Sequence, residues 1–300
     1  METESQESPK LTRISPWKLG VESIKQLRAK LVYLSLVGMA IPLMGFEIYQ
    51  STVAQKYSHN FMLLYKDSKN WTLFDFLEPL ASYISHYGLS WFAMSWVMLI
   101  GYFGVIALTS QHFLGKNLST LEALGRGVKT LLPRGLIATT ALALMLIMVS
   151  IFSVTILGPI LHIVLLILFA LCTAAPFLLV HKKVSAIKSI SQSVSLSYVP
   201  KIPGLKWNVF FQLGSLQMFL VATIILCAAG KQYLLDMDQY TGIPRGVWIA
   251  PSPWQPLSWA YIAAHFVYSI ITSLSISFFA VITTTFFMML SNKFSIQRTV

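Results

Sequence analysis

The chain has 300 residues, of which 55% are hydrophobic and only 11% charged, and its formal net charge is +11. Soluble domains carry about 25% charged residues, so this composition excludes an ordinary soluble globule. The mean hydropathy of +0.66 points instead to a chain embedded in a membrane. Two cysteines, Cys172 and Cys227, both fall inside apolar runs, so neither a disulfide framework nor a zinc site is expected.

Residues 1–14 read as a disordered tail. The first thirty residues hold four Glu and six Lys or Arg without an apolar core, so no cleavable signal peptide is expected. From Ser15, apolar positions fall at Trp17, Val21, Ile24, Leu27 and Leu31, spaced by three or four, and Ser15-Pro16 is a good helix start. An amphipathic helix is therefore expected before the first apolar span, residues 31–49. A spanning helix needs about twenty apolar residues. The next forty residues are rich in Tyr, Phe and Trp and contain the formal sequon Asn70-Trp71-Thr72. Within them an amphipathic helix is expected over 72–86, bent or broken at Pro79.

A second span follows at 89–114. Beyond it, Leu118, Leu121, Leu124, Val128, Leu131 and Leu132 form another stripe, introduced by Ser119-Thr120-Leu121-Glu122 with capping-box spacing. Spans three and four, 135–157 and 159–180, are parted only by Gly158-Pro159, the chemistry of a helical-hairpin turn. Val184, Ile187, Ile190 and Val194 mark a further, less regular amphipathic stretch. The fifth span is 208–229, and an aromatic, Pro-rich loop leads to the sixth, 257–290. That last run exceeds what a span needs, so it must tilt, break or project. Residues 292–300 form a short tail.

The expected fold is thus all-α: a single membrane domain, 15–291, with six transmembrane helices and about three amphipathic interfacial helices on one side. The side follows from charge. Seventeen Lys or Arg lie in the N-terminal segment, loops 2–3 and 4–5 and the C-terminal tail, against five in the remaining loops. The positive-inside bias places both termini in the cytoplasm and explains the +11 without nucleic acid. Arg126, Lys129, Lys182, Lys183 and Lys188 sit where amphipathic helices would meet anionic lipid.

The stretch 118–135 (LSTLEALGRGVKTLLPRG) resembles the interfacial helix of the YciC-like bacterial membrane proteins, a group that includes the membrane domain attached to some glycerophosphodiester phosphodiesterases. The run 174–193 is also similar, with Pro176 and Val180 ending a span and Ser189 and Ser193 in the following helix. Where that group commonly has an acidic residue, this chain has His181-Lys182-Lys183. The resemblance implies a six-helix fold with interfacial helices in a bacterial inner membrane. The 300 residues hold no soluble phosphodiesterase domain, so that activity is not implied.

Ionisable residues within spans are functional candidates by default. Glu47, His112, His162 and His181 fall near span ends, where an interfacial placement accounts for them. His265 lies two turns into the sixth span and heads a line of Ser269, Ser273 and Ser277 at spacing four. With Gln212 and Gln217 of the fifth span as candidate partners, this line is either ordinary small-residue packing or a polar groove. No protease, P-loop, nucleophile-elbow or dinucleotide motif is present, and Asp236-x-Asp238 is too short a pattern to carry a metal site. No catalytic residue, cofactor or metal is therefore expected. The leading expectation is a non-enzymatic membrane protein that binds or organises envelope lipids or a membrane-protein complex. The alternatives are a transporter or flippase using the His265 groove, and an intramembrane lipid-modifying enzyme.

Overall fold

The computed structural model describes residues 16–49, 73–138, 140, 167, 171–197, 209–239 and 259–297. Every regular element among them is helical: α1 (Pro16–Tyr49), α2 (Leu73–Phe113), α3 (Thr120–Thr130), α4 (Ala175–His181), α5 (Ala186–Ser197), α6 (Val209–Gln239) and α7 (Trp259–Gln297). Four of these, α1, α2, α6 and α7, contain stretches long and apolar enough to cross a membrane. They correspond to the expected first, second, fifth and sixth spans. Most of 135–157 and 159–180, the Gly158-Pro159 corner, the sequon and the Pro-rich loop before the sixth span lie outside the described residues.

The helices differ from the sequence-based expectations at their ends. The expected amphipathic helix and the first span form one rod, α1, interrupted only by a π-turn at Leu36–Ala40. The reason is visible in its packing: Leu27, Leu31 and Leu34 are all buried in the core, so the apolar stripe runs through the expected boundary. Pro79 does not break its helix either. α2 runs unbroken for 41 residues from Leu73 to Phe113. Pro forfeits one main-chain hydrogen bond, and the bonds of the turns on either side carry the helix past it. α7 likewise runs for 39 residues without a break, about 58 Å at 1.5 Å per residue. It is rich in Ile, Val, Thr and Ser and lacks Gly and Pro. β-branched residues are modest helix formers in water, but a membrane interior makes internal backbone hydrogen bonding obligatory.

α7 is the hub, packed against α1, α2 and α6. Its Phe286, Phe287 and Met288 are fully buried with Ile106 and Leu108 of α2 and Leu178 of α4. The Phe287 ring stacks on Phe177 at 5.8 Å, and Trp17 meets Phe286 edge-on at 5.3 Å. The Trp17 indole N–H also donates to Gln212 Oε1 at 2.7 Å, tying α1 to α6. α2 closes with Gly115 at positive φ (70°), and the N–H of Lys116 reaches the Gln111 carbonyl while that of Gly115 reaches His112. This is a Schellman motif, and it turns the chain into α3. The capping box at the start of α3 forms as the spacing predicts. Ser119 Oγ accepts from the Glu122 N–H, and Glu122 Oε2 accepts from the Ser119 N–H at 2.9 Å. After α3 the chain turns at Leu132, held extended before Pro133, with a cis Leu132–Pro133 bond.

Candidate functional site

Polar chemistry collects at the two ends of the bundle, joined by a line of hydroxyls along α7. At one end, α3 and α5 carry the basic residues. α3 makes its closest approach to α2 through small residues. Ala123 and Gly127 are buried, and a Cβ on Gly127 would overlap the Ile100 carbonyl oxygen. The expected apolar stripe therefore divides. Leu118 and Leu131 are buried and Leu124 is partly so, whereas Leu121 is 72% exposed and Val128 and Leu132 are exposed as well. Arg126 and Lys129 are exposed on the same helix. α5 repeats the arrangement: Ala186, Ser189 and Ser193 are buried while Ile187 is 79% exposed next to Lys188. Ser193 is fixed by donating to the Leu171 carbonyl at 2.6 Å and accepting from the Ala174 N–H at 3.0 Å.

Two contacts join these basic segments. The Arg134 guanidinium donates to the Lys183 carbonyl, so the end of the α3 unit touches the turn before α5. Lys30 of α1 donates to the Leu118 carbonyl at 2.7 Å, bringing α1 onto the turn that enters α3. Arg126, Lys129, Lys182, Lys183 and Lys188 are all exposed. His181 is half-buried and stacked on Phe177 at 5.1 Å. Burial, with the Lys182 charge added, holds its imidazole below the usual histidine range.

At the opposite end, three helices converge on one carboxylate. Glu47, near the end of α1, forms an ion pair with Lys231 of α6, and His265 Nδ1 of α7 lies 3.5 Å from the same Oε2. The Glu47 and Lys231 side chains are 20% and 14% exposed, and His265 only 1%. Lys231 Nζ also sits 4.4 Å from the centroid of the Tyr268 ring. Sequence reasoning placed Glu47 at an interface and did not pair it. Its partner lies 184 positions away, and the one usable signal was that Glu47 and Lys231 are opposite charges at span ends expected on the same side.

From His265 the line continues inward as expected. Ser269, Ser273 and Ser277 are all fully buried. Ser277 Oγ is 2.6 Å from Ser35 Oγ of α1, while the Ser269 and Ser273 hydroxyls make no hydrogen bond among the described residues. The two glutamines serve other residues. Gln212 accepts from Trp17 and Gln217 Oε1 accepts from Thr173 at 3.2 Å. Among the described residues no group of three or more His, Cys, Asp or Glu side chains is placed to hold a metal ion. Chemically, the charged end suits recognition of an ion by charge and ring face, and the basic end suits recognition of anions at a surface. The chain matches no family model, no curated protein and no solved structure.

Proposed function

We propose that the protein is a non-enzymatic, six-span membrane protein that binds and organises anionic lipid at the cytoplasmic face of a bacterial inner membrane, with both termini inside. The observation that carries this reading is the divided apolar surface of α3 and α5. Small residues make their closest approach to the bundle, and some large apolar ones, Leu121, Val128 and Ile187, stay exposed on segments that also carry exposed Arg and Lys. In water that arrangement wastes apolar burial. At a bilayer interface it seats Leu121, Val128, Leu132 and Ile187 among acyl chains and holds the cations at phosphate level. The resemblance to the YciC-like proteins supports a six-helix fold with interfacial helices, and the seventeen-to-five distribution of basic residues supports the orientation.

The test is lipid selectivity of the purified full-length chain. Replacing Arg126, Lys129 and Lys188 together with Gln removes about 1 kcal/mol of attraction per residue. Retention of anionic over zwitterionic lipid should fall roughly a hundredfold. An unchanged lipid profile would refute the reading. Cysteine labelling at position 188 from outside intact cells should fail, and success there would overturn the orientation.

A further inference from the structure

The Glu47 cluster contains more than an ion pair between helices needs. A carboxylate beside the face of an aromatic ring is an arrangement that recognises an ammonium group: the carboxylate accepts N–H donors and the ring face attracts the cation. Here Glu47 supplies the carboxylate and Tyr268 the ring, and the ammonium between them is the chain's own Lys231.

The two halves of this arrangement are held differently. Glu47 and Tyr268 belong to α1 and α7, which pack on each other through the core and are pinned by the Ser35–Ser277 hydrogen bond. Lys231 belongs to α6, a peripheral helix in which Leu213 alone is buried among the described side chains. The receptor groups are held by the packing of α1 on α7, whereas the occupying ammonium is the tip of a long side chain with four rotatable bonds. The depth is also defined. Glu47 is the one charged residue of α1 beyond Lys30, Lys231 is the first charged residue of α6 after twenty-two uncharged ones, and Tyr268 lies against Lys231. All three therefore sit at headgroup level, and Glu47 is open to the surface.

We infer that Glu47 and Tyr268 form a binding site for a primary ammonium group, that Lys231 is its tethered occupant, and that an aminophospholipid headgroup or a soluble primary amine exchanges with it. The site is at the opposite end of the bundle from α3 and α5 and selects the opposite charge, so it stands apart from anionic-lipid binding.

Native mass spectrometry of the full-length protein tests this. The protein is titrated with phosphatidylethanolamine and with phosphatidylcholine of identical chains, whose quaternary nitrogen has no N–H to give Glu47. A preference for the ethanolamine lipid of roughly tenfold to a hundredfold, the range of a hydrogen bond to a charged group, is expected in Lys231→Ala and to a smaller degree in the parent. It should vanish in Glu47→Gln, whereas Tyr268→Leu should weaken the binding of both lipids. Displacement of the lipid by free ethanolamine would identify a soluble amine as the natural occupant, and no displacement would identify the lipid. Equal binding of both lipids by the parent and Lys231→Ala overturns the proposal, as does a preference that survives Glu47→Gln. Anionic-lipid retention in the same spectra should be unchanged in Glu47→Gln. If that variant does not fold, the comparison of parent with Lys231→Ala still decides.

Discussion

Gly125 and Gly127 lie two residues apart in α3, and the same Gly→Ala change should have opposite signs at the two positions. At Gly125 an added Cβ meets nothing within 4 Å. Only the helix-propensity gain remains, about 0.5–1 kcal/mol for replacing Gly by Ala inside a helix. At Gly127 the added carbon overlaps the Ile100 carbonyl oxygen and lies 3.2 Å from the Gly104 nitrogen, both backbone atoms of α2 that cannot rotate away. The two helices must separate, and overpacking of this kind costs about 1–3 kcal/mol, enough to exceed the propensity gain. Thermal unfolding of the purified protein in detergent, followed by circular dichroism, should show Gly125→Ala melting slightly above the parent. Gly127→Ala should melt several degrees below it, taking about 2–4 °C per kcal/mol as the scale. Melting temperatures that move together would show that α3 is not seated on α2 through Gly127.

Two further expectations follow from named contacts. Trp17→Phe keeps a ring against Phe286 but removes the 2.7 Å hydrogen bond to Gln212. It should cost about 1–2 kcal/mol, and combining it with Gln212→Leu should add less than the sum of the single changes. The second concerns pH. His181 is held below the usual histidine range by burial and by Lys182, so folding favours its neutral form. Its contribution is fully present above the unfolded value of about 6.5 and is lost as pH falls through the lower folded value. Melting temperature should therefore drop on acidification below about pH 6.5. His181→Phe, which keeps the stack on Phe177, should flatten that slope, and an unaltered slope would assign the acid sensitivity elsewhere.

What the sequence disclosed depended on how far each determinant reaches. The Ser119–Glu122 box is a four-residue pattern and was legible as it stands. The line from His265 to Ser277 was legible because helical spacing alone puts the four residues on one face. The face that α3 packs was not. Hydrophobic periodicity ranks side chains by apolarity, whereas a close helix contact selects Ala123 and Gly127 for their size. Leu121 and Val128 share one stripe with Leu118 and Leu131 in the sequence, yet the first two are exposed and the last two buried. Pro79 does not end its helix, because the one hydrogen bond it forfeits is outweighed by those of the turns on either side. The Glu47 cluster was the least legible, since its members come from three helices and no local pattern links them.

The π-turn at Leu36–Ala40 acts as a rotational spacer in α1. Trp17 and Glu47 are thirty residues apart, which on an uninterrupted α-helix would point them about 120° away from each other. A π-turn takes up one residue, and with it about 100° of rotation, leaving roughly 20° between them. Both side chains thereby address the same neighbour: Trp17 holds Gln212 near the start of α6 and Glu47 holds Lys231 further along it. Deleting one residue within 36–40 would restore a plain α-helix and turn one of these two grips away. The bulge thus sets the phase between the ends of the rod, and the ammonium site exists only because that phase is correct.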